Sequence, residues 1–398
     1  MEELKEYRIG DIAKTNTSQY SLSENWETIQ YLDTGSITKN QISGFEEYSG
    51  NTGLPSRARR KVKHGDIVYS CVRPNLCHYG YIDNPPANLL VSTGFAVITV
   101  DPNLADARYI YYFLTQNNIV QSLHTIGEQA VSTYPSIKAS DIEDLSILLP
   151  PLPIQHKIAS ILKSLDDKIE VNRLINDNLD QQAQLLFKKW LTKCDKDISL
   201  GDLSININDY TPCEQKEVVL INSSDVTEGY FEHNKYSENK NLKGHFKKRF
   251  KQGDILYSQV RPRNRHWAYC TFDPDDYIAS TQLMVIRNKP EIISSILLYQ
   301  YIIDYNVWME FTNKTETRSG TFPQGNYDEL SSIKVPFGAN MDLINRNLDS
   351  IYNIIYNNIK EIQLLSDIRD AILPKLMAGE LHVTDIDLVN KLLENNIR

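Results

Sequence analysis

Two short segments contain residue types that could support catalysis on nucleic acid. The sequence NPPA at 84–87 is similar to the Asn/Asp-Pro-Pro-aromatic loop with which adenine-N6 methyltransferases hold an extruded base. Its fourth residue, Ala87, cannot stack on a base, and no counterpart is recognisable in the second half of the chain. The sequence DPDD at 273–276 has the carboxylates of a metal-dependent nuclease, but no Glu-x-Lys partner follows it. We therefore predict a proline turn and an acidic surface turn, and no catalytic residue.

The remaining motifs of cofactor and metal sites are also missing from the sequence. No glycine-rich turn for S-adenosylmethionine and no G-x-x-x-x-G-K-[ST] phosphate loop occurs, and the histidines form no ligand pair at helical spacing. The adjacent Cys77 and His78 have no second pair with which to hold a metal. We expect a chain that is not an enzyme and that holds no cofactor or metal of its own.

Overall charge restricts how the chain could bind nucleic acid. Its 42 basic and 51 acidic residues give a formal net charge of −9, which argues against a protein that coats nucleic acid indiscriminately. An interface for DNA would have to be a local basic patch. An odd number of cysteines, five, is typical of a reducing cytosol. Because the first residues are acidic and no apolar run reaches membrane-spanning length, we expect a cytoplasmic protein.

Two basic clusters supply such patches. Each cluster precedes a Gly-Asp-Ile sequence, and further cations follow the predicted strand. The first group of predicted DNA-binding residues is Arg57, Arg59, Arg60, Lys61, Lys63, Arg73 and Asn75. The second group is Lys243, Lys247, Lys248, Arg249, Lys251, Arg261, Arg263 and Arg265. A single charge run is usually a solvated face, but two clusters at equivalent positions favour two equivalent anionic targets, such as DNA phosphates.

The two clusters belong to an internal duplication. The sequences VKHGDIVYSCVRPN at 62–75 and FKQGDILYSQVRPR at 250–263 share nine of fourteen residues at an offset of 188. At the same offset, VSTGFAVI at 91–98 matches ASTQLMVI at 279–286. A period this long indicates duplicated domains and not a solenoid.

Each half ends in a heptad pattern that predicts a long helix. Apolar residues recur at alternating steps of four and three, which is typical of helices packed as a coiled coil. The first pattern comprises Ile158, Leu162, Leu165, Ile169, Asn172, Asn176, Leu179, Ala183, Leu186 and Trp190. The second comprises Ile344, Leu348, Ile351, Ile355, Asn358, Ile362, Leu365, Arg369, Ile372 and Leu376. We expect Asn172 and Asn358 to fix register, Pro374 to kink or end the second pattern, and Gly379 to stop it.

These patterns predict an α+β protein with two duplicated α/β domains and an antiparallel coiled coil of two long helices, related by a pseudo-twofold. The predicted segments are a first recognition domain at 1–150, a central helical region at 151–193, a second recognition domain at 194–338, a second helical region at 339–383 and a tail at 384–398.

The plan and its motifs resemble the DNA-specificity subunit of type I restriction–modification systems. The resemblance covers essentially the whole chain, and it rests on the paired GDIVYSCVRP and GDILYSQVRP, on LLPPLPIQHKIASIL at 148–162, on LFKKWL at 186–191 and on ILPKLMAGEL at 372–381. The acidic residue that usually precedes the first helix's Gln is replaced by Ile154. The second helix entry, at 335–348, lacks the Pro-Pro and Gln pattern.

This resemblance implies a non-catalytic reader of double-stranded DNA, in which each globular half binds one half of a split, asymmetric target. The helices are implied to set the spacer and to dock two adenine-N6 methyltransferase subunits that bring S-adenosylmethionine. Gln155 and the heptad residues would carry these helix contacts. Restriction subunits with ATP and Mg would join the complex. Two alternatives stay open: a coiled-coil scaffold that does not read DNA, and a self-contained methyltransferase or nuclease.

Overall fold

A computed structural model describes residues 4–130, 135–231, 235–316, 323–338 and 341–381. Contacts divide the chain into two compact units. The first unit comprises Met1–Glu170 and Gln363–Arg398, and the second comprises Val171–Ile362. Each unit therefore contains one globular part and one half of each long helix. The predicted tail at 384–398 lies outside the described residues.

Within the described residues, the globular part of the first unit contains twelve short strands and four α-helices. The strands are β1 (Lys5–Arg8), β2 (Ala13–Thr15), β3 (Thr28–Leu32), β4 (Ile37–Thr38), β5 (Gln41–Ile42), β6 (Glu46–Ser49), β7 (Ala58–Lys61), β8 (Ile67–Ser70), β9 (Tyr79–Tyr81), β10 (Leu89–Ser92), β11 (Phe95–Val100) and β12 (Ser146–Leu149). The helices are α1 (Ile9–Ile12), α2 (Ala107–Leu114), α3 (Asn117–Ala130) and α4 (Ala139–Glu143), and the long helix α5 (Leu152–Leu191) follows.

Two four-stranded sheets form the centre of this part. Their strand orders are β2-β11-β8-β9 and β6-β3-β10-β7, and β3 pairs with β10 in parallel. Alternating side chains of β8 divide between two cores, because successive residues of a strand point to opposite faces. Ile67 and Tyr69 pack with the helices, including the start of α5, whereas Val68 packs with the second sheet.

The second unit contains the corresponding elements. Its strands are β13 (Lys196–Ser199), β14 (Ser204–Asn206), β15 (Glu217–Ile221), β16 (Val226–Thr227), β17 (Tyr230–Phe231), β18 (Tyr236–Glu238), β19 (Phe246–Lys248), β20 (Ile255–Ser258), β21 (Trp267–Tyr269), β22 (Tyr277–Ser280), β23 (Leu283–Asn288) and β24 (Lys334–Phe337). Its helices are α6 (Leu200–Leu203), α7 (Ser295–Ile303), α8 (Tyr305–Glu316) and α9 (Tyr327–Ser331), and the long helix α10 (Met341–Met377) follows.

Strand order confirms the predicted duplication. The second unit has sheets β14-β23-β20-β21 and β18-β15-β22-β19, in which β15 and β22 are the parallel pair. Each of these strands stands where its equivalent stands in the first unit. Small two-stranded sheets, β1-β12 and β13-β24, also correspond. The predicted fold of two repeated α/β parts with two long helices is thus confirmed.

The two long helices pack against each other in both units. In the second unit, Asn172 Nδ2 donates to Glu361 Oε2 at 2.9 Å and Asn358 Nδ2 donates to Asn176 Oδ1 at 2.8 Å. Partner numbers fall along α10 as they rise along α5, so the pairing is antiparallel. In the first unit, Arg369 of α10 bonds to α5. The two asparagines that share a heptad position therefore bond to other residues and not to each other.

Most of the predicted heptad residues are buried or partly buried. Ile158, Leu162, Leu165, Ile169, Leu348, Ile355 and Leu365 are buried, and Leu179, Leu186, Ile351, Asn358 and Ile362 are partly buried. In α10 the buried residue of one turn is Tyr352, next to the predicted Ile351. Pro374 does not end the helix, since α10 continues through it to Met377. Gly379, at φ +69°, follows the helix end as predicted.

Candidate nucleic-acid interface

The repeated Gly-Asp sequence forms a closed turn before the central strand of each unit. Gly65 and Gly253 both have φ of +89°, which glycine adopts without steric cost. The following Asp accepts a backbone hydrogen bond from the residue three positions earlier, at 2.9 Å in the first unit and 2.8 Å in the second. Asp66 and Asp254 are buried, so this part of the repeat positions β8 and β20 and does not face a ligand.

The Arg-Pro sequence after each of these strands forms a second repeated turn. Arg73 has φ 47° and ψ 68°, and Arg261 has φ 49° and ψ 65°, so both are left-handed. Their backbone N–H groups donate to Pro135 O at 2.8 Å and to Pro323 O at 2.9 Å. Both arginines are exposed. A left-handed non-glycine residue costs roughly 1–2 kcal/mol, and the chain retains this arrangement twice with the same side chain.

The basic clusters lie on β7 and β19, which are edge strands of the two second sheets. Because side chains alternate along a strand, the middle residue of each cluster points inward. Lys248 is 3% exposed, and its Nζ donates to Leu283 O at 2.8 Å. Burial lowers the pKa of Lys248. Lys248, predicted to bind DNA, is therefore not accessible to a phosphate in this structure.

Arg60 occupies the position of Lys248 in the first unit. It is partly buried, and its Nε and Nη1 atoms are enclosed with no hydrogen-bond partner among the described residues. Burial lowers the pKa of its guanidinium. Arg60 is thus poorly placed for a phosphate contact, in contrast to its prediction as a DNA-binding residue.

Several of the other predicted cations are engaged within the protein. Lys61 pairs with Glu24 and lies 5.2 Å from the centroid of the Trp26 ring. Arg249 donates to Asp275 O at 2.7 Å and to Tyr277 O at 3.2 Å. Such contacts hold a side chain in place and reduce its availability to a phosphate.

In the second unit, two of the arginines that follow β20 form ion pairs with glutamates. Arg263 contacts Glu316 at 2.5 Å, and Arg265 contacts Glu228 at 3.1 Å while stacking 4.5 Å from the Trp308 ring centroid.

In the first unit, Arg59 is partly buried and donates to Ala58 O at 2.9 Å. The exposed members of the two predicted groups are Arg57, Lys63, Arg73, Asn75, Lys243, Lys247, Lys251, Arg261 and Arg263.

The two segments that first suggested catalysis occupy one equivalent turn of the duplicated fold. The Leu89 N–H donates to Pro86 O at 3.1 Å, and the Tyr277 N–H donates to Pro274 O at 2.9 Å. At the offset of 188, residues 84–87 correspond to 272–275, which form the same turn without the Asn-Pro-Pro motif. The same proline turn holds unrelated polar residues in the two copies, which favours a connecting turn over a catalytic loop.

His78, which the sequence offered only as a weak metal ligand beside Cys77, has an equivalent at the offset of 188, His266. His78 and His266 stand directly before β9 and β21. Their Nδ1 atoms lie 2.7 Å from Ile37 O and 2.9 Å from Val226 O, respectively. These equivalent contacts attach a short hairpin beside the Arg-Pro turn of each unit, so the histidines are structural.

Within the described residues, no group of three His, Cys, Asp or Glu side chains is placed to hold a metal ion. Gln155 is 1% exposed, with both amide atoms bonded internally, to Asp106 N and Pro150 O. The side chain predicted to contact a partner at the helix entry is therefore not accessible to one. None of the described helices combines the length and apolar character needed to cross a membrane.

Comparisons with known proteins relate this arrangement to restriction–modification systems. Residues 1–181 match the family profile of the type I restriction modification DNA specificity domain. The HindI type I restriction enzyme specificity subunit of Haemophilus influenzae is 34% identical over 195 residues. That match covers 49% of this chain and 42% of the relative, so the chain spans less than half of that protein's length.

Two further comparisons extend over almost the whole chain. The MjaIX type I restriction enzyme specificity subunit of Methanocaldococcus jannaschii is 24% identical, with 95% of this chain and 93% of the relative covered. The crystal structure of the S subunit of a type I restriction–modification system from M. genitalium shares the fold, with a TM-score of 0.53, 15% identity and coverage of 94% and 96%. Residues 1–181 are thus similar to the type I restriction modification DNA specificity domain, and the second unit repeats the strand order of the first.

Proposed function

We propose that this chain is the non-catalytic, sequence-specific DNA-recognition subunit of a type I restriction–modification complex. Each globular part, at 1–150 and 194–338, binds one half of a bipartite target in double-stranded DNA. The helical regions at 151–193 and 339–383 set the spacer and dock partner subunits. The names of its relatives and the duplicated plan support this assignment.

The observation that carries the proposal is the repeated left-handed arginine. Glycine would adopt this backbone conformation at lower cost, yet both copies place an exposed Arg there. A guanidinium held on a short turn is well suited to a phosphate oxygen or to the O6 and N7 atoms of guanine. Arg73 and Arg261 therefore anchor one DNA half-site each, and the exposed lysines near them add phosphate contacts.

The two half-sites are expected to differ in sequence. Residues 77–90 and 265–278 follow the two Arg-Pro turns and have little sequence in common. Different side chains on one scaffold read different base edges. The target is thus asymmetric, and a palindromic pattern of adenine methylation in the genome would contradict this conclusion.

The helices also provide a surface for protein partners. Exposed apolar side chains form a stripe on α5 in the second unit, comprising Val171, Leu174, Ile175 and Leu185. Two adenine-N6 methyltransferase subunits, which carry S-adenosylmethionine, cover this type of surface, and ATP-driven and Mg-dependent restriction subunits join them. The complex acts in the cytoplasm, in keeping with five cysteines that form no disulfide. Loss of co-purification in a Leu174→Glu, Leu185→Glu variant tests the docking.

The test of DNA recognition uses the full chain and a library of random DNA duplexes. Selected duplexes should share two short half-sites at a fixed spacing. Arg73→Gly and Arg261→Gly remove the guanidinium without straining the turn, and each should reduce the salt dependence of binding by about one unit of log Kd against log salt. Arg73→Ala should weaken DNA binding to the same extent, because it removes the same charge.

Asn25→Gly is the matched control, since Asn25 is left-handed at φ 50° but carries no charge. Its DNA affinity should equal that of the wild type. Selection that yields no common sequence would refute DNA reading and would favour the alternative of a coiled-coil scaffold. Methylation of DNA by the purified chain alone would instead revive the enzyme alternative.

A further inference from the structure

A chain of polar side chains joins the globular part of the first unit to both long helices. The Tyr112 hydroxyl on α2 donates to Asp166 Oδ2 on α5 at 2.6 Å. Arg369 Nη1 on α10 donates to Asp166 Oδ1 at 2.8 Å. Tyr112 is only 2% exposed, so its hydroxyl has few other positions in which it could find a partner. We call these three residues the first relay.

The second unit contains a chain of the same connectivity and different chemistry. Gln300 Nε2 on α7 donates to the Tyr352 hydroxyl on α10 at 2.6 Å, and this hydroxyl donates to Asp180 Oδ1 on α5 at 2.9 Å. Gln184 Nε2 donates to the other oxygen, Asp180 Oδ2, at 2.7 Å. Gln300 and Tyr352 are both buried. Gln300, Tyr352 and Asp180 form the second relay.

Two of the three residues of each relay occupy equivalent positions of the duplicated fold. Tyr112 and Gln300 are separated by the 188-residue offset of the globular parts, and Asp166 and Tyr352 by the 186-residue offset of the heptad patterns. In both units the first contact joins the first helix after the sheet, α2 or α7, to one of the long helices. The second contact joins that long helix to the other one. Two different sets of residues therefore meet one geometric requirement.

Each unit adds a second polar contact near the start of the same short helix. Asp106 caps α2, and its backbone N–H donates to Gln155 Oε1 on α5 at 2.9 Å. Ser294 caps α7, and its Oγ donates to Asn345 Oδ1 on α10 at 2.8 Å. Two polar contacts along one helix define its orientation, whereas a single contact would leave it free to rotate.

Apolar packing alone would hold the globular parts with less directional precision. Apolar contacts between helices are non-directional, while a buried hydroxyl or amide must meet its partner at a defined distance and angle. A rotation of a globular part on the helices would leave Tyr112 or Gln300 without a partner in an apolar surrounding. Buried polar contacts of this kind specify one arrangement among several of similar apolar packing.

We propose that the two relays are positioning elements that fix the orientation of each recognition part on the helix pair and thereby determine which DNA spacer length the protein accepts. This inference rests on the proposed function. It assigns spacer selectivity to Tyr112, Asp166 and Arg369 in one unit and to Gln300, Tyr352 and Asp180 in the other. None of these side chains belongs to the predicted DNA-contacting groups, so they act through position only.

The test compares the full wild-type chain with Tyr112→Phe and Tyr352→Phe. Each substitution removes one hydroxyl and keeps the ring. The probes are duplexes that carry the selected half-sites at the preferred spacing and at spacings one base pair longer or shorter. The ratio of affinities for preferred and altered spacings measures selectivity. A hydrogen bond to a carboxylate corresponds to a factor of roughly 10–150 in an equilibrium constant, and we expect the ratio to fall by roughly tenfold.

Matched controls remove a hydroxyl that makes no such contact. Tyr109 lies on α2, one turn before Tyr112, and Tyr257 lies on β20; their buried hydroxyls have no hydrogen-bond partner among the described residues. Tyr109→Phe and Tyr257→Phe should retain wild-type spacer selectivity. Arg369→Gln removes the charge at the more exposed end of the first relay and weakens its contact with Asp166. It is a second variant of this relay, and it leaves Tyr112 unchanged.

The outcomes separate the inference from the proposed function. Lower spacer selectivity with unchanged half-site sequences supports positioning by the relays. A lower melting temperature with unchanged spacer selectivity overturns the inference, because the relays would then contribute only to stability. A changed half-site preference overturns it too, since the relays would then act on the recognition surface. Wild-type protein without any spacer preference would refute the proposed function itself.

Discussion

The two relays differ in charge, and this difference predicts opposite effects of the same substitution. Asp166 accepts from the Arg369 guanidinium and from a tyrosine hydroxyl. Asp180 accepts from a tyrosine hydroxyl and from the Gln184 amide, which are neutral donors. Burial raises the pKa of Asp180, and the neighbouring Asp177 raises it further. The carboxylate of Asp180 is thus charged at a cost and has only neutral hydrogen-bond donors, whereas Asp166 also accepts from a guanidinium.

Asp166→Asn should destabilise the first unit. The amide oxygen can accept one of the two hydrogen bonds, but the amide nitrogen then faces the second donor. Asp166 and Arg369 are 30% and 28% exposed, so water compensates part of the loss. From the usual 1.5–3 kcal/mol of a hydrogen bond to a charged group, discounted for this exposure, we expect a loss of about 1–2 kcal/mol in the free energy of unfolding.

Asp180→Asn should be neutral or stabilise the second unit by up to about 1 kcal/mol at pH 7. The amide oxygen still accepts from Tyr352, and Gln184 can turn its own oxygen toward the new amide nitrogen. The penalty of holding a carboxylate in a partly buried site disappears. Because the two substitutions act on different units, hydrogen exchange of α2 and of α7, followed by mass spectrometry, measures each effect separately.

The pH dependence gives an independent test of the same reasoning. A carboxyl whose pKa is raised on folding binds its proton more tightly in the folded chain than in the unfolded chain. Its contribution to stability is present below the unfolded value and is lost as pH rises through the folded value. The protection of α7 should therefore decline less from pH 4 upward in Asp180→Asn than in the wild type. Equal destabilisation by both substitutions, or an unchanged pH profile, would refute the assignment.

Three further predictions concern single sites of the proposed interface and scaffold. Lys247→Met should weaken DNA binding and reduce its salt dependence by about one unit, whereas Lys248→Met should leave both unchanged in the same anisotropy titration, because only Lys247 is exposed. Insertion of one heptad in α5 and one in α10 should change the preferred spacer and preserve both half-sites, as measured by selection from random duplexes. Gln155→Ala should lower the free energy of unfolding of the isolated chain by about 1–3 kcal/mol in urea, since it leaves the Asp106 N–H without a partner; an effect seen only in the complex would instead indicate a partner contact.

Much of the fold could be predicted because its determinants are local or periodic. Gly65 and Gly253 mark turns that need a positive φ, and the alternation in IVYS and ILYS places neighbouring residues on opposite faces of a strand. The heptad patterns identify α5 and α10, and the 188-residue offset identifies the duplication. Each of these features is encoded within a few residues or in a regular spacing, so no tertiary contact is needed to recognise it.

The candidate interface was predicted less well, because exposure depends on how strands pair. Arg59, Arg60 and Lys61 look alike as a charge run, yet pairing of β7 with β10 turns the middle residue inward. The same pairing of β19 with β22 buries Lys248. Strand alternation is visible in the sequence, but the face that meets the core is set by the neighbouring strand.

The sequence by itself determined that this protein has two like globular parts, two long helices and one Arg-Pro turn in each half. Only the tertiary structure decided which cations remain exposed and which polar side chains connect the parts to the helices. Asp166 and Arg369 are 203 residues apart, and Asp180 and Tyr352 are 172 apart. Hydrogen bonds over such separations form only when folding has brought distant elements together, so no local pattern can specify them.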